Sequence, residues 1–297
     1  MNEKASVSVI GIGIMGSAIA KRLMESGHPV TIFDVDKAKT AAVAANGARE
    51  ASSPAEAASA SDFVITSLNS AAIVRQVVFG ENGVVENAAP EKMLIDMSSI
   101  DPVATADMAR ELRERTGMAW VDCPLSGGAP KAAIGALTIM AGGDEKDVEK
   151  ARLVMDSLAA NYTRMGPCGA GQTTKLINQL LIGVGFQALA EAVRIAEAGG
   201  VDPKQLPRAL AGGRADSGIL QEFGPKMAVR DMTPTGRIDN MLKDLEPLQT
   251  FAASKRIPLF LTNMVVDLHR LFVLAGIGPC DTVAMMEQFE GFRNKRE

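Results

Sequence analysis

Histidine, cysteine, tyrosine and tryptophan are scarce in this 297-residue chain, which has two, three, one and one of them. The cysteines, Cys123, Cys168 and Cys280, lie far apart and show neither disulfide nor metal spacing. Histidine and cysteine are too sparse and scattered for a catalytic zinc site, so no metal is expected. A reducing compartment, the cytoplasm, is the expected location. A basic excess is lacking too. The formal net charge of −4 argues against a broad nucleic-acid or anionic-membrane surface, though not against one local basic pocket. The opening M-N-E-K-A-S is too polar for a signal peptide, and none is expected. The most apolar later stretch, Leu180 to Ala190, covers about half a membrane span and is bracketed by Lys175, Gln179, Glu191 and Arg194, so a buried helix is expected there. No internal repeat is visible. What remains is ordinary globular composition, 47% apolar and 22% charged, in a length that suggests about two domains.

The first half alternates short apolar runs with helical stretches. Strands are expected at Val7–Ile10, Val30–Asp34, Phe63–Thr66, Met93–Asp96, Ala119–Asp122 and, last, Leu137–Ala141. Helices are expected at Ser17–Ser26, Ala38–Ala45, Ala72–Val78 and Pro102–Thr116, with one more from an Asp144 cap to about Ala160. Strands separated by helices of this length imply parallel βαβ units and a doubly wound sheet. After Met165 the strand pattern stops. A Gly-rich loop, residues 166–171, leads into a helical stretch from Gln172 to Ala198, about 40 Å long at 1.5 Å per residue. Gly199, Gly200 and Pro203 end it. We therefore expect an α/β domain over residues 1–165 and an all-α domain over 166–297.

Val7-Ser8-Val9-Ile10 runs directly into Gly11-Ile12-Gly13-Ile14-Met15-Gly16, and a helix follows. Gly11 permits the tight turn, Gly13 lets a pyrophosphate approach the backbone, and Gly16 allows helix and strand to pack closely. A lone G-x-G-x-x-G is weak, but this one follows a strand, opens a helix and has Asp34 about 20 residues on. A carboxylate there accepts hydrogen bonds from ribose hydroxyls and repels a 2′-phosphate. Asp36 adds a second negative charge, so NAD is favoured. Lys37 works against that preference, and NADP stays open.

A nicotinamide dehydrogenase also needs a group that moves a proton. His28 lies in a turn and His269 in an apolar helix, and both read as structural. Tyr162 has Gly166 four positions on, so no tyrosine–lysine pair is available. Lys175 remains, in the first turn of the long helix, with Asn178 and Gln179 on its face. The helix dipole and partial burial would both lower its pKa. A solvated lysine on an exposed face fits the pattern equally well. A second cluster, Asp122 to Ala129, follows a strand. Its Gly127 and Gly128 N–H groups, beside the Ser126 hydroxyl, form either an anion nest for a carboxylate or a plain turn.

Taken together and in order, these motifs resemble the β-hydroxyacid dehydrogenase family, which includes 3-hydroxyisobutyrate dehydrogenase, tartronate semialdehyde reductase and threonate dehydrogenase. The resemblance covers nearly the whole chain. It implies a Rossmann-type domain followed by a helical domain, with hydride transfer between NAD(P) and a small β-hydroxy acid or its semialdehyde. The family's D-x-P-x-S-G-G motif matches Asp122–Gly128, implying that Ser126, Gly127 and Gly128 hold the substrate carboxylate. Its G-x-G-x-x-x-K motif matches Gly169–Lys175, implying that Lys175 is the general acid/base. Its K-D-L motif matches Lys243–Leu245, implying that Lys243 reaches the cofactor. Ser99 matches a position near the nicotinamide, and Asn69 a loop position near the cofactor. Where many members have asparagine four residues after the lysine, contacting substrate, this chain has Gln179. Arg214 is either a second anion contact or a surface residue, and the surface is favoured. The active site is expected in a cleft between the domains. Apolar faces in the helical domain suggest a homodimer or homotetramer. Two rival readings are a dehydrogenase for a phosphorylated sugar acid and a dinucleotide-binding sensor without turnover.

Overall fold

Apolar runs of four residues, rich in valine and isoleucine, form the strands of the first half, as their patterning requires. A computed structural model of the chain describes residues 4–291. The chain divides into two compact units, Met1–Lys175 and Leu176–Glu297. In the first unit, β1 (Val7–Ile10), α1 (Ile14–Glu25), β2 (Val30–Phe33), α2 (Lys37–Ala44), β3 (Arg49–Glu50) and α3 (Pro54–Ser59) build one half of a parallel sheet and its crossovers. The other half is β4 (Phe63–Thr66), α4 (Ala71–Phe79), β5 (Met93–Asp96), α5 (Pro102–Thr116) and β6 (Ala119–Asp122). The order β3-β2-β1-β4-β5-β6 is that of a doubly wound Rossmann sheet.

Successive strand residues point to opposite faces, so the strands feed two cores. Phe63, Ile65, Met93, Ile95, Ala119 and Val121 pack into one, while Val64, Leu94 and Trp120 pack into the other. Each large apolar side chain gains about 1.5–3 kcal/mol by full burial. Both faces therefore need helices over them.

Beyond β6 the sheet departs from expectation. β7 (Leu125–Ser126), α6 (Gly128–Ala133), β8 (Leu137–Gly142), α7 (Glu145–Met155) and β9 (Ala159–Gly166) complete the unit. β8 runs antiparallel to β6 and β7, and β9 pairs with β8 in parallel. The last strand is therefore β9. The helix expected to reach Ala160 stops at Met155, and Asp144 makes no side-chain cap bond. In β9 only Tyr162 is buried, so the segment carries almost no apolar signal. The two residues of β3 are both exposed and were invisible for the same reason.

α8 (Ala170–Ala198) starts two residues before the expected Gln172 and runs on into the second unit. There α9 (Leu206–Leu210), α10 (Gly218–Val229), α11 (Ile238–Ser254) and α12 (Phe260–Leu274) follow, with no strand among the described residues. Mid-helix glycines cost about 1 kcal/mol each relative to alanine. Here they permit close packing: a Cβ at Gly183 would sit 3.1 Å from Leu245, and one at Gly185 2.7 Å from Ile219. By length and composition alone α8 is apolar enough to cross a membrane, so its apolar character extends beyond Leu180–Ala190. Its Phe186, Leu189, Ala190 and Val193 nevertheless form the unit's core with Phe272 and Ile277.

Candidate active site

The turn after β1 is shaped by its three glycines. Gly11 holds φ +95°, and a Cβ there would strike the Ser67 carbonyl. A Cβ at Gly16 would strike the Gly11 carbonyl, so the first turn of α1 lies directly on the loop. Gly13 is the N-cap of α1, faces open space, and leaves the helix without a side-chain cap. Ile12 is buried, Met15 partly buried, and Ile14 is 83% exposed. Such a turn, with free room over Gly13 at a helix N-terminus, fits a pyrophosphate. Asp34 follows β2. Its carboxylate accepts the Ile12 N–H at 2.7 Å and the Asp36 N–H at 2.9 Å, so it braces the glycine turn while each oxygen keeps a further lone pair.

Asn69 and Ser99 are both exposed, in the loops that leave β4 and β5. Those loops are joined, because the Leu68 N–H donates to the buried Ser98 hydroxyl at 2.9 Å. Beneath them, Thr66, Asp96 and Asp122 stand in register at the ends of β4, β5 and β6. Asp96 accepts from the Thr66 hydroxyl (2.9 Å) and the Ser98 N–H (3.1 Å) through Oδ1, while its Oδ2 is buried with no hydrogen-bond partner. Burial pushes this carboxyl up to about 6, with the Asp122 charge adding to the rise. Asp122 is fully buried and accepts the Gly169 N–H at 2.8 Å and the Gln172 N–H at 2.9 Å. Burial raises its pKa as well, against the pull of those two backbone N–H groups.

Lys175 is half-buried and is the sixth residue of α8. It therefore stands in the second turn rather than the first. The dipole reading weakens accordingly, because that field falls off within the first turn. Ser126 lies on β7, and Gly127 (φ +119°) and Gly128 (φ +65°) carry the chain from it into α6. In the second unit Gln179 is buried, donates to Asp244 Oδ2 at 2.7 Å and accepts from Asn178 Nδ2 at 2.9 Å. Lys243, on α11, is exposed, with its Nζ 3.5 Å from Asp244 Oδ1. Arg214 is exposed in the loop between α9 and α10. The residues set aside by elimination are engaged elsewhere. His28 reaches the Ala5 carbonyl and the Ser157 hydroxyl, His269 reaches the Val265 carbonyl, and Tyr162 donates to the Val148 carbonyl.

Sequence reasoning took Asp96, Asp122, Gln172 and Asp244 only as members of strands or motifs and gave none of them a role. One signal was available: an aspartate ending a buried apolar strand, as in M-L-I-D and A-W-V-D, cannot be left unpaired.

A doubly wound sheet with this turn is the architecture of a dinucleotide-binding domain. Residues 6–166 match the family model described as the NAD-binding domain of 6-phosphogluconate dehydrogenase. Residues 169–289 match that described as the NAD-binding domain of NADP-dependent 3-hydroxyisobutyrate dehydrogenase. The chain is 38% identical to a probable 3-hydroxyisobutyrate dehydrogenase-like protein, mitochondrial, of Arabidopsis thaliana, over 82% of this chain and 81% of that one. It is 32% identical to the 2-hydroxy-3-oxopropionate reductase of Escherichia coli, over 97% and 98%. Among solved structures it resembles the 3-hydroxyisobutyrate dehydrogenase of Mycobacterium tuberculosis, determined with L-serine. The TM-score is 0.89, with 27% identity over 97% of this chain and all of the other. The protein belongs to the β-hydroxyacid dehydrogenase family and is an NAD(P)-dependent oxidoreductase of that kind.

Proposed function

We propose that the protein catalyses reversible hydride transfer between NAD and the hydroxyl-bearing carbon of a small β-hydroxy acid, or its semialdehyde, in the cytoplasm. The bound dinucleotide supplies or takes the hydride. Gly11–Gly16 hold its pyrophosphate, Asp34 its ribose, and Asn69, Ser99 and Lys243 lie along it. Ser126, Gly127 and Gly128 bind the substrate carboxylate, Gln179 contacts the substrate, and Lys175 exchanges the hydroxyl proton. One observation carries this reading. The turn after β1, the loops bearing Asn69 and Ser99, and the Asp122 carboxylate that receives the start of α8 all lie where parallel strands end. Ligands of open α/β sheets bind at that edge.

Replacing Lys175 with Met tests it most directly. The expected result is a fall in kcat of at least ~100-fold, the scale of general acid–base catalysis. Affinity for NADH should be unchanged. Near-wild-type kcat would move the proton to another group. Assaying small hydroxy acids and their semialdehydes with both cofactors then identifies the substrate. The NAD preference rests on Asp34 and Asp36, so NADH should bind more tightly than NADPH, and Asp34→Ala should narrow the gap. Phe260, Leu261, Met264 and Leu274 stand exposed on α12. A second copy of the chain is the occupant we assign to them, as homodimer or homotetramer, and sedimentation equilibrium decides between these and a monomer.

A further inference from the structure

The G-x-G ahead of Lys175 looks like a ligand turn in sequence, yet its glycines face protein. A Cβ at Gly171 would strike the Met140 carbonyl and lie 2.7 Å from Asp122 Oδ2 and 2.8 Å from the Asp122 carbonyl. A Cβ at Gly142, opposite Asp122 in the sheet, would strike Asp122 Oδ1 and approach the Gly171 nitrogen to 2.7 Å. Gly169 holds φ +91° with the Pro102 carbonyl 2.7 Å from where its Cβ would be. Gly142 and Gly171 form a slot, and the Asp122 carboxylate fills it. Its two oxygens take the Gly169 and Gln172 N–H groups, so it caps α8 from inside the sheet.

A second fastening lies one residue along. Gln172 is buried, donates to the Ser98 carbonyl at 2.8 Å and accepts the Ile100 N–H at 3.1 Å. Its amide thus clasps the loop that presents Ser99. Lys175 follows Gln172 by three residues, under one helical turn, or about 4.5 Å of rise. The opening of α8 is therefore tied at two points to the ends of β5 and β6, directly below the lysine. Burying a carboxylate for this purpose is expensive, since removing an ion from water costs several kcal/mol before its bonds are counted. A serine or asparagine would cap a helix for less. What the carboxylate adds is two charge-assisted bonds from one rigid, short side chain.

We propose that Asp122 and Gln172 are positioning residues for Lys175. They fix the opening residues of α8, up to the lysine, against the strand ends, and so fix where the lysine amine meets the substrate hydroxyl. This rests on Lys175 being the proton-transfer group. A displacement of about 1 Å in a reacting group costs on the order of 100-fold in rate.

The test uses Asp122→Asn and Gln172→Met, each alone and in a Lys175→Ala background, reading kcat, KM, NADH affinity and Tm. Asparagine still caps helices and methionine matches glutamine in length, so both variants should fold. Should Asp122→Asn fail to fold, Gln172→Met decides alone. Each single variant should lose ~10- to 100-fold in kcat, with KM within a few-fold and NADH affinity unchanged. In the Lys175→Ala background the same substitutions should leave the residual rate where it was. Wild-type kcat in a folded single variant would overturn the proposal, and so would a loss of equal size without the lysine. High kcat in Lys175→Ala alone would remove the reading beneath it, and that variant shows it without either positioning change.

Discussion

At the start of α1, Gly13 faces open space and no side chain caps the helix; at the start of α8, Gly171 faces a buried carboxylate that caps it. Both turns read G-x-G, and both lead into a helix. They differ in what the missing Cβ makes room for. In the first turn Gly11 and Gly16 pack against backbone, while the middle glycine leaves the surface open. In the second, the space is used by the protein itself. A glycine pair announces a close approach without saying what approaches. The element facing the turn decides that, and here the decisive residue is an aspartate 47 positions earlier than Gly169.

This contrast can be broken by adding a methyl group. Gly171→Ala should have the largest effect, a loss of about 3 kcal/mol or more in urea unfolding, since it overpacks against backbone and disturbs a buried carboxylate's hydrogen bonds. A loss under about 1 kcal/mol would mean the slot has slack and the cap is dispensable. Gly13→Ala should behave oppositely. With φ −75° and nothing within 4 Å of the new Cβ, stability should change by no more than about 0.5 kcal/mol. NADH should nevertheless bind ~10-fold or more weakly, about 1.4 kcal/mol. Unaltered NADH affinity would show that the pyrophosphate lies elsewhere.

The smallest effect concerns Asp96. Its carboxyl is raised from an ordinary 3.8 to about 6 by burial, next to Asp122 and beside Thr66 and Ser98. A raised carboxyl favours the folded state at low pH, and that advantage is lost as pH rises through the folded value. Asp96→Asn should therefore gain on the wild type by a few degrees in Tm between about pH 4 and pH 7. A difference flat across that range would show that Asp96 is not the titrating group.

The parallel half of the fold was legible because its strands are apolar on both faces and so stand out as runs. β9 was not, since it buries one side chain in eight and reads as loop. The start of α8 was placed two residues late for a related reason. Its first residues, Ala170 and Gly171, carry no helical signal, and the cap comes from a distant strand. Lys175 and the Ser126–Gly128 segment stand out in the sequence by spacing and resemblance. The bonds of Gln172 to Ser98 and Ile100 do not, because a glutamine in a helix gives no sign of which backbone groups it reaches 72 to 74 positions away. Gln179 illustrates the same limit. Its pairing with Asp244 spans 65 positions.

The antiparallel pairing of β7 with β8 has a consequence for how this architecture diversifies. Ser126 pairs with Thr138 and Leu125 with Ile139, so residues 127–136 leave the sheet and return to it at one neck. A second closure follows further along β8, Asp122 with Gly142, and it belongs to the helix cap. On the proposed reading, substrate recognition and proton transfer hang from the same strand, β8, but on separate mounts. An exchange of residues 127–136 for another sequence of similar length would replace Gly127, Gly128 and α6 and leave the seat of Lys175 untouched. If residues 127–136 bind the acid as proposed, its identity can change by cassette while the α8 cap stays fixed to the sheet.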